Sequence, residues 1–302
     1  MKRKLPSLGF FPVILLLAFV WGSSFILMKL GLFDSTGATL FKPWEVAALR
    51  ITIAGFVLLP FSLTRIKRIS SSDWVWLGLV GLIGNTIPAF LFTAAEVHLA
   101  SSIAGMLNSL TPLFTLAVAA LIFGTKYKLI QLIGLLIGFA GALGMMGLKD
   151  SSGDVHIFST CLIVLATMLY AFSVNIIRNK LAHLQSITIA SVSLGLMSIP
   201  CFLSLLFSDV VDVLSTKDEG WMGFGAIFLL AAVGTAGALI LFNKIIQKTS
   251  ALFASSVTYV IPVFAAFWGW IYGEHLEWMH GVFALVILFG VYLVNAGKRN
   301  VG

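Results

Sequence analysis

LASSIAGMLNSLTPLFTLAVAALIFG, residues 99–124, is an apolar run with one proline near its middle, Pro112. A polar turn, Thr125-Lys126-Tyr127-Lys128, separates it from a second run, LIQLIGLLIGFAGALGMMGL, residues 129–148. About 150 residues later the pattern returns. TSALFASSVTYVIPVFAAFWGWIYG (249–273) centres on Pro262, Glu274-His275-Leu276-Glu277 makes the turn, and WMHGVFALVILFGVYLVN (278–295) closes the unit. A bilayer crossing needs roughly 20 apolar residues. Repetition at this scale governs the whole fold. It suggests a doubled ancestor.

The composition agrees. The chain has 302 residues, 59% of them hydrophobic and 10% charged. Soluble domains carry about 25% charge. Cys161 and Cys201 both sit in apolar runs, where packing is the expected role, and no metal spacing is present. Ten spans follow, near 12–32, 44–62, 74–95, 101–123, 129–147, 157–177, 186–206, 222–243, 251–272 and 278–296. The expected class is an all-α polytopic membrane protein. Lys2-Arg3-Lys4 before the first run is read as the cytoplasmic flank of a transmembrane helix rather than as a signal peptide.

Charge tests the topology. With the N-terminus inside and the spans alternating, Lys2, Arg3, Lys4, Arg65, Lys67, Arg68, Lys126, Lys128, Arg178, Lys180, Lys244, Lys248, Lys298 and Arg299 all fall inside. Outer segments hold only Lys42, Lys149 and Lys217, which is the positive-inside pattern. The net charge of +7 is therefore spent on orientation, and no nucleic-acid partner is expected. Ten spans in two units, 1–148 and 149–302, give five each. An odd number inverts the second unit, the layout of alternating access around a central cavity.

Polar residues inside the spans mark the candidate cavity. Lys29 and Arg50 are cations toward the outer side, either lining the cavity or snorkelling to headgroups. Trp21-Gly22-Ser23-Ser24-Phe25 and Tyr170-Ala171-Phe172-Ser173-Val174-Asn175 are similarly placed notches, and that alignment sets Lys29 opposite Arg178. Trp21, Ser24 and Tyr170 are candidate cavity walls, with close helix packing as the alternative. Asn85 lies beside Pro88. Asn108 lies beside Pro112, and Tyr259 beside Pro262. A proline frees a carbonyl four residues back, to be met by a neighbour, a water or a solute. Glu96 and Glu274, at outer helix ends, could couple a proton or cation or could simply hold turns, and no acid is expected deep in a span. The glycines from Gly134 to Gly147 make a smooth face for helix contact. No Walker loop, HExxH, CxxC or nucleophile–base set appears, so neither an enzyme nor a cofactor is expected.

WGSSF with its following Lys29, Arg50 in LRI, NSLTPLFTLAVAALIFG and YVIPVFAAFWGWIYGE together resemble the EamA family, the ten-helix branch of the drug/metabolite transporter superfamily. The resemblance covers nearly the whole chain. It implies inverted five-helix halves, a cavity lined mainly by helices other than the fifth and tenth, and an inner-membrane carrier of small organic solutes, often an exporter of amino acids or other metabolites. Arg50, Pro112, Pro262 and Glu274 match positions typical of the family, whereas Thr125 stands near where many members have a glutamate. The expectation is a secondary transporter with Trp21, Asn85, Asn108 and Tyr259 near its solute. Import of an organic anion and a non-transporting scaffold or sensor are the alternatives. The partners are a small-molecule solute and the bilayer. Monomer and homodimer are left open.

Overall fold

A computed structural model describes residues 11–66, 69–126, 128–146, 156–274 and 276–299. Lys2, Arg3, Lys4, Lys67, Arg68, Lys149 and His275 lie outside the described residues. The described chain is helical, apart from one isolated bridge between Phe33 and Thr39.

Eight helical segments are long and apolar enough to cross a membrane. They are α1 (Pro12–Leu32), α2 (Pro43–Arg65), α3 (Ser71–Glu96), α4 (Ser101–Leu121), α6 (Ile157–Lys180), α7 (Ser186–Leu205), α9 (Gly220–Lys248) and α10 (Ala251–Ile271). The short α8 (Val210–Thr216) lies before α9. The other two expected spans are the shorter apolar stretches in α5 (Leu129–Met146) and α11 (Trp278–Arg299). These two pack chiefly on each other. Their contact is backbone on backbone: a Cβ added to Gly290 would meet Gly134 O and Gly138 N, each at 2.5 Å. The glycine face foreseen for α5 is therefore a packing surface.

The remaining helices form the bundle that matters for the site. α2 packs along α7, α6 takes α3 and α4, and α1 lies against α9 and α10. Large apolar residues such as Phe207, Val211 and Trp278 point outward, as expected for a chain whose solvent is lipid.

Four helices are interrupted. α3 and α9 each contain a π turn, at Leu82–Thr86 and Leu230–Gly237. α4 and α10 each contain a 3-10 turn, at Asn108–Leu110 and Ser256–Tyr259, just ahead of Pro112 and Pro262. Pro88 follows the π turn of α3 in the same way. Two glycines in left-handed conformation, Gly124 (φ +64) and Gly273 (φ +78), then turn the chain out of α4 and α10. A side chain there would be strained.

The two ends of the bundle are tied differently. At one end Lys42 pairs with Asp209, Glu219 binds Ser35, and the Glu45 carboxylate accepts from the backbone N–H groups of Lys42 and Asp209, each at 2.9 Å. The hydrogen bond from Lys42 to Asp209 raises the lysine pKa. At the other end His183 meets Asp73 at 3.1 Å, and Lys180 sits over the Trp76 ring. Arg178 donates to the carbonyls of Ile246 and Gln247, at the carbonyl-rich end of α9.

Candidate functional site: a central cavity with one arginine

The cavity lies among the interrupted helices and has a volume of about 1020 Å³ including its open mouth. Among the described residues, none from α5 or α11 lines it. Six of the eight expected cavity residues do: Trp21, Ser24, Arg50, Asn85, Asn108 and Tyr170.

Lys29 and Tyr259 are not among the described lining residues. Lys29 is the last cation of α1, and its ammonium sits 5.4 Å from the Phe33 ring centre rather than in the cavity wall. In the tighter 3-10 turn the face presented to the centre belongs to Thr258, while the Tyr259 hydroxyl reaches Val291 O at 3.4 Å.

The π turns build much of the polar lining. Widening the helix lets side chains bond five residues back: Asn85 Nδ2 to Val80 O (3.2 Å), Thr86 Oγ1 to Gly81 O (3.0 Å) and Thr235 Oγ1 to Leu230 O (3.2 Å). Trp21 Nε1 donates to Gly234 O at 2.9 Å, which holds the indole against the wall. Gly84 and Gly234, 150 residues apart, each face a serine hydroxyl. Gly84 abuts Ser173, and a Cβ on Gly234 would lie 3.0 Å from Ser24 Oγ. These contacts bring α3 onto α6 and α9 onto α1.

The carbonyls freed by Pro112 and Pro262 are met inside the protein. Thr111 Oγ1 donates to Asn108 O at 2.8 Å, and Ser109 Oγ donates to Thr258 O at 3.0 Å. The kinks therefore need no solute to satisfy them. They place the side chains of Asn108, Thr111 and Thr258 on the cavity wall.

Arg50 is the one charged side chain among the described lining residues. Its Nε donates to Thr235 Oγ1 at 2.8 Å and its Nη1 lies 3.8 Å from Met28 Sδ. Among the described residues, no hydrogen bond from Nη2 is present. Aromatic rings flank it. Phe92 stacks on Tyr170 with centroids 6.0 Å apart, and Trp21 meets Phe242 edge-on at 4.9 Å.

Thr235, Phe242 and Asn243 also line the cavity but were not among the expected residues. Thr235 had a signal: Ile83-Gly84-Asn85 and Val233-Gly234-Thr235 match at the same 150-residue step as Pro112 and Pro262. Asn243 Oδ1 is buried without a hydrogen-bond partner among the described residues. Nothing in its local sequence distinguishes it from an outward-facing asparagine.

The two candidate coupling acids differ. Glu274 Oε1 accepts from Ser101 N–H at 2.7 Å. Its Oε2 accepts from Ser102 N–H at 3.1 Å and from the Ser102 hydroxyl at 2.5 Å. It caps the start of α4, the turn-holding role. Glu96 stands at the end of its span, as expected, but is buried inside the bundle. The residue is 0% exposed, and both carboxylate oxygens are buried with no hydrogen-bond partner among the described residues. It ends α3 in sequence, but the chain folds back after it and buries Leu99 as well.

The profile of the EamA-like transporter family matches residues 11–147 and again 157–296. The chain belongs to the EamA-like transporter family. It is 26% identical over 308 residues to the uncharacterized inner membrane transporter YedA of Escherichia coli K12, covering 98% of this chain and 93% of that one. It is 27% identical over 278 residues to the S-adenosylmethionine/S-adenosylhomocysteine transporter of Chlamydia trachomatis serovar L2, covering 86% and 80%. A solved crystal structure superposes with a TM-score of 0.64 at 18% identity, over 96% of this chain and 98% of that one. At that identity the likeness is one of fold. This EamA-like chain is thus a multi-pass membrane transporter.

Proposed function

We propose that this EamA-like protein is an alternating-access carrier for a small metabolite that joins a carboxylate to a flat apolar body, the amino-acid class among them. The observation that carries the reading is Arg50, a lone cation whose Nη2 makes no hydrogen bond among the described residues, in a wall of amides, hydroxyls and aromatic rings. A guanidinium held this way is suited to a carboxylate. Such charged hydrogen bonds contribute about 1.5–3 kcal/mol each. Phe92, Tyr170 and Trp21 offer faces for the apolar part. Asn243 Oδ1 offers an acceptor eight residues along α9 from Thr235, about 12 Å at helical rise. A solute of the S-adenosylmethionine kind, carried by one relative, has these groups at that reach.

The moving parts are two halves, 1–148 and 149–302, in inverted orientation within the inner membrane, with both termini cytoplasmic. The twofold profile match and the paired π and 3-10 turns support this division. Export of a metabolite is one direction of such a cycle. Uptake of an organic anion is the second reading, favoured by the absence of an acidic residue from the described lining.

The test is counterflow in liposomes. Radiolabelled aromatic amino acids, S-adenosylmethionine and aryl carboxylates are compared with the matching decarboxylated amines. Saturable exchange confined to the acids is expected. Equal exchange of the amines sinks the carboxylate assignment, and no exchange of any compound sinks the carrier reading for this solute class.

A further inference from the structure

The molecule holds a buried acid that solute binding at Arg50 does not itself require. Glu96 is fully buried, and neither carboxylate oxygen has a hydrogen-bond donor among the described residues. An ionised carboxylate left so is costly, whereas a carboxylic acid there forgoes only a weak bond. Three charged groups from other elements bear on it: Lys29 of α1, Arg50 of α2, and Glu274 from the turn after α10. On α6, the neighbour of α3, the facing titratable side chain is Tyr170, stacked on Phe92 one turn before Glu96. Glu274 differs from Glu96 in having three hydrogen-bond donors.

These four charges set a count. With both acids ionised, Lys29 and Arg50 balance Glu96 and Glu274. A solute carboxylate arriving on Arg50 adds one negative charge to this part-buried site. A proton on Glu96 removes one. We propose that Glu96 is a proton-binding site that loads together with the solute carboxylate, one proton per carboxylate, so that proton and solute cross in the same direction. The proton is taken from water on the loading side and returned to water on the other, and no bond in the solute changes. Arg50 links the two events, because Glu96 and the solute's carboxylate draw on the same cation. The coupling half of this proposal rests on the carrier reading above, while the proton site stands apart from it. Co-transport would make an inward proton gradient drive uptake, the second of the two directions considered above.

Two measurements test it on the full-length protein. The first needs no solute. In lipid nanodiscs, the infrared carbonyl band of protonated carboxylic acids is followed through a pH titration. A titrating band that is lost in Glu96→Gln and kept in Glu274→Gln is expected. No titrating band, or one that persists in Glu96→Gln, overturns the proton site even if no solute has been found. The second uses liposomes and the compound that exchanges best among the aromatic amino acids and aryl carboxylates, with protein-free liposomes setting the baseline. For a monovalent anion at one proton per solute, each unit of imposed pH difference is worth about tenfold accumulation. That ratio is expected to fall to about 1 in Glu96→Gln. It should recover in Glu96→Asp, which keeps an acid, and be unaffected in the exposed-site control Asp212→Asn. Accumulation that still follows the pH step in Glu96→Gln overturns the coupling.

Discussion

The two kinked helices α4 and α10 are built alike and finished differently. Each has a 3-10 turn, then a proline, then a left-handed glycine. After Gly273 comes Glu274, whose carboxylate takes three hydrogen bonds at the start of α4. After Gly124 comes Thr125, and the start of α10 has instead a serine cap, Ser250 Oγ accepting from Phe253 N–H at 3.1 Å. Charge-assisted bonds contribute about 1.5–3 kcal/mol each, neutral ones about 0.5–1.5. One end of the bundle is therefore fastened more firmly than the other. The charges follow the same division. Lys29, Arg50, Glu96 and Glu274 belong to the firm end, while at a step of 150 residues Arg50 faces Pro200 and Glu96 faces Ile246. A pattern symmetric in shape has been made polar in charge.

That contrast can be broken at Arg50 with the largest effect. Arg50→Ala should weaken solute affinity about 30-fold or more in counterflow, the worth of a buried charge-assisted pair. Arg65→Ala, at the end of α2 and outside the described lining, should not, and equal losses in both would remove Arg50 from the site. Next comes the latch. Glu274→Gln should cost about 1–2 kcal/mol, as for loss of a strong helix cap, seen as a lower thermal midpoint in detergent. The converse, Thr125→Glu, supplies the missing carboxylate and should slow exchange several-fold by fastening the softer end. An unchanged rate would mean that the two turns are not equivalent.

Smaller effects sharpen the comparison at the π turns. Gly84→Ala drives a methyl into Ser173 on α6 and should cost about 1–3 kcal/mol, the usual penalty of overpacking. Gly234→Ala meets Ser24 Oγ at 3.0 Å, which a small shift relieves, and should cost less. The reverse order, measured by thermal unfolding, would show α9 to be the tighter contact. Smallest of all, Asn108→Ala and Thr258→Ala should each weaken the solute about fivefold, the value of one neutral hydrogen bond.

Much of the site was legible because polar residues in lipid-spanning runs are costly and therefore informative. Trp21, Ser24, Arg50, Asn85, Asn108 and Tyr170 were found that way, and all line the cavity. Lys29 passed the same filter and is not in the wall, because two cations at helix ends look alike until the helices are rotated into place. Tyr259 lies outside the described wall for a local reason: the 3-10 turn brings its neighbour Thr258 round to the cavity. Thr235 was readable from its match to Asn85 but lacked a charge or proline to draw attention. Asn243 acquires its meaning only from the wall opposite.

The amino-acid sequence by itself determined that the chain is a bundle of apolar helices, where those helices break, and which polar side chains they carry. Hydropathy, proline and glycine act through local chemistry that does not depend on partners. Tertiary structure decided which acid is satisfied and which is not. Glu96 and Glu274 both stand at helix ends in the chain, yet packing gives Glu274 the open N–H groups of α4 and gives Glu96 none. A carboxylate's charge state depends on the donors and cations around it, and those arrive from helices distant in sequence.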